Sequence, residues 1–190
     1  GSGTMARQID AGAPADVVLL AAPVWMTWLR DRGAVQADAV VDLLGNSLVL
    51  IAPADSNVAP DPADLAGALG DARLAMGQRD AVPAGIYARE WLEATGQWEA
   101  IAPHLAETDN VRSALALVAR AETPLGVVYR TDALAEPQVR ILYDIPQETH
   151  SPITYPAAAL TDSGAAFMAH LQSDDARAVF ARHGFKPLPE

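Results

Sequence analysis

Pro124-Leu125-Gly126-Val127-Val128-Tyr129 decides how this chain is read. An unbroken apolar run behind a proline is the pattern of a strand buried on both faces, and this one closes on a phenol. Residues 17–21 and 47–52 are apolar runs of the same kind, the second ending at Pro53, and residues 73–76, 139–143 and 153–160 also read as strands. Helical spacing fills the intervals. It covers 24–32 through Trp25, Trp28 and Leu29 with Gly33 as C-cap, then 84–95 stopped by Gly96, 98–105 and 111–121, and two closing amphipathic helices at about 164–172 and 174–183. Residues 55–62 form a proline-rich loop, and Pro62 stands in the first turn of a short helix. Strands alternating with helices predict an α/β fold of parallel sheets covered by helices.

With 190 residues, 51% hydrophobic and 19% charged, the chain has material for a full core in one domain or two small lobes. Lys and Arg total 13 against 24 acidic residues, a net charge of −11. Such a surface repels nucleic acid and anionic lipid, so an anionic ligand must be held by local dipoles. The absence of cysteine removes disulfides, thiolate catalysis and Cys-based metal sites. No run of 18 apolar residues spans a membrane, and no signal peptide is read in this chain.

Two further motifs share one chemistry with the phenol of Tyr129. In Val82-Pro83-Ala84-Gly85-Ile86-Tyr87 the proline suits the first position of a helix, leaving the amides of Ala84 and Gly85 as free first-turn donors. Thr108-Asp109-Asn110-Val111 is a second helix start, rich in capping residues. For the Val111 amide to meet a ligand, Asp109 must face away and the cap must take another donor. Gly1-Ser2-Gly3-Thr4 adds hydroxyls and backbone donors before a helix expected to begin near Met5 or Ala6. It also fits G-x-G-x-x-A, a dinucleotide fingerprint with no meaning where no strand stands before it. Taken singly, each motif is an ordinary capped helix start or a core tyrosine. Together they make a charge-free receptor for a small oxyanion. Enzyme chemistry finds little support: His104, His150, His170 and His183 are scattered, with no H-E-x-x-H, no G-x-S-x-G and no phosphate loop.

These motifs closely resemble the molybdate-binding proteins of ATP-driven, ABC-type molybdate importers. The matching stretches are Ala6-Arg7-Gln8-Ile9, Gly12-Ala13-Pro14-Ala15-Asp16, Leu43-Leu44-Gly45-Asn46-Ser47-Leu48, 82–88, 110–118, 124–129 with Asp132-Ala133, His150, Tyr155-Pro156, and Phe180-Ala181-Arg182-His183-Gly184-Phe185. The resemblance implies a periplasmic binding protein of the type II bilobal α/β fold. Residues 1–46 plus 153–190 would form lobe I, and 47–152 lobe II. It also implies that molybdate or tungstate is held in an interlobe cleft by neutral hydrogen-bond donors, with no cofactor and no metal-ligating side chain. Carried over residue by residue, those donors are the hydroxyl of Ser2, the amides of Ala84 and Val111, and the hydroxyl of Tyr129. The implied partner is the membrane permease of the importer, and the implied location is the periplasm, or an exported, membrane-tethered state of the full-length protein. A sensory domain of the same fold is the rival reading, but it needs a helix-turn-helix that this chain lacks.

The family pattern opens with a strand, a helix and a strand ahead of the Ser2 motif, and its first ligand serine follows the opening strand. This chain starts after that unit, so the expectation is an N-terminally truncated lobe I. Gly1-Ser2-Gly3-Thr4 reads equally as a cloning scar before Met5. The strand near residue 20 also reads Leu20-Ala21-Ala22-Pro23 where relatives commonly have Ser-Ala-Asp. Lost strands expose sheet edges, so the alternative reading is a truncated fragment that forms a homo-oligomer or swaps segments to cover them and binds oxyanion weakly or not at all. A monomer by light scattering that binds molybdate in calorimetry at submicromolar affinity contradicts this expectation.

Overall fold

The structure, a computed structural model, describes residues 1–188. In chain order the first segment holds α1 (Ser2–Asp10), β1 (Val17–Leu19), α2 (Pro23–Asp31) and β2 (Val40–Gly45). The central segment holds β3 (Leu48–Pro53), α3 (Leu65–Leu69), β4 (Leu74–Gly77), α4 (Pro83–Ala94), α5 (Trp98–Ile101), β5 (Leu105–Thr108), α6 (Val111–Ala119), β6 (Leu125–Tyr129), α7 (Arg130–Leu134) and β7 (Val139–Asp144). The closing segment holds β8 (Thr154–Ala159), α8 (Asp162–Leu171), α9 (Asp174–Arg182) and β9 (Lys186–Pro187). Contacts divide the chain into Gly1–Asn46 with Ile153–Glu190, and Ser47–Pro152. The last two positions of the first unit lie outside the described residues.

The sheet of the first unit runs β1-β8-β2-β9, and every pairing in it is antiparallel. This corrects the expectation of parallel strands. The cause is the chain path: β8 enters from the end of the central segment and lies between β1 and β2, running against both. Pro156 sits inside β8, where a missing N–H would ordinarily break the ladder. The β2–β8 register shifts between Asp42, opposite Pro156, and Leu44, opposite Tyr155, so a bulge at Leu43 absorbs the gap. On the other side the Pro156 carbonyl accepts the Leu20 N–H at 3.0 Å. β1 pairs only with β8, and its Val17 and Leu19 are half-buried, so the run at 17–21 is an edge strand with one covered face. Beneath the sheet, Ala6, Val18, Leu20, Met26, Leu29, Val35 and Ala158 form the core, with Trp25 and Trp28 packed against it.

In the second unit the order is β5-β4-β6-β3-β7. β4 is parallel to β5 and β6, whereas β3 is antiparallel to β6 and β7. Parallel pairing is thus confined to three strands. All residues of β3, β4 and β6 are buried, as expected of central strands covered on both faces. α6 packs on this sheet through Ala114, Leu115 and Val118, and a Cβ on Gly126 of β6 would stand 2.6 Å from Val118 Cγ2. α4 buries Trp91, which is 1% exposed.

Three local expectations need correction. Asp64, not a proline, starts α3: its carboxylate accepts the Gly67 N–H, and Pro62 lies ahead of the helix. The helix expected over 98–105 ends at Ile101, passes through a 3-10 turn at Ala102–His104 containing Pro103, and gives way to β5. α1 begins at Ser2, earlier than Met5, because the Gly1 carbonyl already accepts the Thr4 and Met5 amides.

Gly164 tests how tightly α8 seats on β1, since a Cβ there would lie 2.0 Å from the Asp16 carbonyl oxygen. Gly164→Ala is expected to cost about 1–3 kcal/mol in urea unfolding. Gly45→Ala, whose nearest neighbour would be 3.5 Å away, should stay within about 0.5 kcal/mol of the parent.

Candidate functional site

Three helix starts share one edge of the second unit's sheet. Because β5, β4 and β6 are adjacent and parallel, their carboxyl ends face the same way, and α6, α4 and α7 begin just beyond them. This is the edge at which open α/β sheets present ligand sites. Ala84 lies at the start of α4, Val111 opens α6, and Tyr129 ends β6 as the N-cap of α7.

Two glycines bring α4 to this edge. A Cβ on Gly85 would stand 2.2 Å from the Gly77 carbonyl oxygen, so only a bare backbone lets the helix start touch the end of β4. Pro83 occupies the first turn and donates nothing. The Gly85 and Ile86 amides both donate to the Val82 carbonyl, at 2.8 and 3.0 Å. Gly85 is therefore not the free donor expected of it. The amide of Ala84, a residue with no exposed surface, meets no acceptor among the described residues. A buried amide without an acceptor is costly unless something outside the fold fills the position.

At α6 the capping chemistry leaves Val111 alone. Asn110 Oδ1 accepts the Ser113 N–H at 2.9 Å, two residues beyond Val111. Asp109 is exposed and accepts from Asn110 Nδ2 at 2.7 Å and from the Ser113 hydroxyl at 3.3 Å. Thr108 Oγ1 donates to the Asn110 carbonyl at 2.8 Å, fixing the approach to the helix. The Val111 amide, on a half-buried residue, has no acceptor among the described residues. Tyr129 is 4% exposed at the end of β6.

The strand ends are tied by a fork. Arg79 donates through Nε and a terminal nitrogen to the two carboxylate oxygens of Glu107 at 3.0 and 2.8 Å, and its amide adds a bond of 2.8 Å. These bonds hold the Glu107 carboxyl below its ordinary range. Trp98 lies between two guanidinium groups, with Arg79 4.9 Å and Arg89 5.2 Å from its ring centre. Burial pushes the Tyr87 phenol up to about 12, with Glu90 adding to the effect, so it stays neutral.

One group at this edge lies outside the sequence-level donor set. Asp132, 7% exposed on α7, pairs through Oδ1 with Arg112 Nε at 3.0 Å. Its carboxyl is raised by burial, against the opposing pull of Arg112 and of a main-chain hydrogen bond from Tyr129.

Ser2 belongs to the other unit. It is 7% exposed at the head of α1, and its hydroxyl oxygen accepts the Ala21 N–H at 2.9 Å, leaving the hydroxyl proton to donate. His150 and the Tyr155-Pro156 pair are held by local contacts. His150 Nδ1 lies 2.8 Å from the Ser151 carbonyl, and the Tyr155 hydroxyl accepts from Asn46 Nδ2 at 2.9 Å.

The chain belongs to the bacterial extracellular solute-binding protein family, whose model matches residues 1–186. It is 41% identical to the molybdate-binding protein ModA of Escherichia coli (strain K12), over 97% of this chain and 75% of that protein. The structure matches the substrate-binding domain of a putative molybdenum ABC transporter from Clostridium difficile, with a TM-score of 0.76, 31% identity, and 100% of this chain against 84% of that one. It also matches the periplasmic molybdate-binding protein of Azotobacter vinelandii, with a TM-score of 0.86, 19% identity, and 100% of this chain against 85% of that one. The fold is the bilobal α/β fold of periplasmic binding proteins.

The Arg79–Glu107 fork generates a pH prediction. A carboxyl held low in the folded state contributes stability above its unfolded-state pKa, and loses that contribution as pH falls through the lower folded value. Glu107→Gln should lower the urea midpoint at neutral pH, and the difference from the parent should shrink as pH falls below the ordinary carboxylate range.

Proposed function

We propose that this chain is the substrate-binding component of an ABC importer for molybdate or tungstate, acting outside the inner membrane and passing its ligand to a membrane permease. It acts as a receptor and carries out no catalysis. The carrying observation is the pair of helix-start amides at Ala84 and Val111, both without acceptors among the described residues and both at one edge of three parallel strands. Positive helix ends and free N–H groups suit a tetrahedral oxyanion. The ligands named for the E. coli and Clostridium difficile relatives support molybdate as the first candidate. Tungstate shares its charge and shape.

In this reading the Ala84 and Val111 amides and the Tyr129 hydroxyl each donate one hydrogen bond to the ion. Bonds to a charged group contribute about 1.5–3 kcal/mol each, a gross total of about 4.5–9 kcal/mol. Micromolar affinity needs about 8 kcal/mol after the loss of ligand freedom, so every donor matters. Neutral donors read size more than charge. Sulfate, with shorter bonds to its oxygens, fits a receptor shaped for molybdate less well.

Thermal unfolding with molybdate, tungstate and sulfate tests the proposal. The first two should raise the melting temperature to similar extents and sulfate far less; no rise with any of them removes the function. Val111→Pro isolates one amide, because proline suits the first helical position and Asn110, at φ −160° and ψ 161°, already has the extended backbone that must precede it. That variant should fold and bind molybdate about tenfold more weakly by calorimetry, and Tyr129→Phe should lose a similar factor. Unchanged affinity in both removes these donors from the site.

A further inference from the structure

Among the described residues Asp132 is the one buried carboxylate at the edge where α6, α4 and α7 begin, and the donor set leaves it without a task. Its Oδ1 meets Arg112 Nε at 3.0 Å, and the Tyr129 main chain also donates a hydrogen bond to the carboxylate. Its Oδ2 is buried with no partner among the described residues. The Asp132 side chain is nine-tenths buried, whereas Arg112 is 65% exposed. Capping of α7 accounts for the bond from Tyr129 but not for the pair with Arg112. A half-satisfied buried carboxylate costs free energy, and its pairing with an exposed arginine returns little.

What the carboxylate does is join two particular places. Arg112 is the residue after Val111, in the first turn of α6, and Tyr129 is the junction of β6 and α7. The paired side chains of Asp132 and Arg112 therefore link the first turn of α6, which carries one donor amide, to the main chain that carries the donor phenol.

We propose that Asp132 is a positioning residue of the oxyanion site, locking the start of α6 to the start of α7 through Arg112 so that the Val111 amide and the Tyr129 hydroxyl are held in one arrangement before the ion arrives. The proposal rests on the function proposed above and adds a residue that does not touch the ion. Its advantage is preorganisation: order established during folding is not charged against binding.

Electrostatics and positioning predict opposite signs, and this makes the idea testable. If Asp132 acted only as a negative charge near a dianion, Asp132→Asn would tighten molybdate binding. Positioning predicts that it weakens binding, although the asparagine still accepts from Tyr129. Calorimetry with molybdate on the full chain should show Asp132→Asn and Arg112→Gln each binding about three- to tenfold more weakly. The double variant should be no weaker than the worse single one, because both changes break one link. The urea midpoint of ligand-free Asp132→Asn should match or exceed the parent's, which separates positioning from simple support of the fold.

Parent-like or tighter binding in Asp132→Asn overturns the proposal. Should that variant fail to fold, parent-like binding in Arg112→Gln, a change on the surface, overturns it as well. If Val111→Pro and Tyr129→Phe weaken binding while the Asp132 and Arg112 variants do not, the positioning role alone falls. If Val111→Pro and Tyr129→Phe bind like the parent, or the parent binds no molybdate, the site falls and the positioning role with it.

Discussion

A helix cannot satisfy the amides of its own first turn, and this protein places two such amides where the fold offers them nothing. Pro83 removes one donor from the head of α4, and the Val82 carbonyl takes Gly85 and Ile86, so the remaining hydrogen-bonding capacity falls on Ala84. On α6 the Asn110 cap reaches past Val111 to Ser113. Sheet topology then converts two local deficits into one site. Three neighbouring strands run parallel, so the helices that follow them open at the same edge. The antiparallel strands β3 and β7 lie to one side and complete the core without competing for that edge.

A receptor built from main-chain dipoles suits the charge balance. With a net charge of −11, the surface field repels an incoming dianion, and any affinity must arise within a few ångströms of the ion. Two of the arginines nearest the edge have other work: Arg79 is bound to Glu107 and Arg112 to Asp132. Cationic side chains are thus occupied by carboxylates, and the donors that stay open carry only partial charges.

Much of this was legible in the chain. The bounds of β6 follow from its apolar run, α4 from Pro83 and Gly96, and α2 from Gly33, whose φ of +73° only glycine adopts readily. Each is a signal carried within a few neighbouring residues. β5 is hidden because Glu107 interrupts its apolar pattern and the preceding turn looks helical, and β2 is hidden because Asp42 breaks its apolar run. The antiparallel pairing of β8 depends on the direction in which a distant segment returns, which no local pattern records. The candidate site divides the same way. The helix starts at Ala84 and Val111 are local features, but the diversion of the Asn110 cap and the capture of the Gly85 amide are matters of geometry. The link from Arg112 to Asp132 joins two elements that only the folded sheet brings together.

The contact between Gly77 and Gly85 has a consequence for how such a protein can change. With hydrogen atoms on both sides, the head of α4 rests directly on the carbonyl of β4, and a single methyl group at Gly85 would have to lever the helix outward. Drift at the half-buried Val111, by contrast, alters a side chain while its amide stays in place. Ligand preference therefore survives a changed side chain at Val111, yet is extinguished by one carbon atom at a neighbour that never meets the cargo.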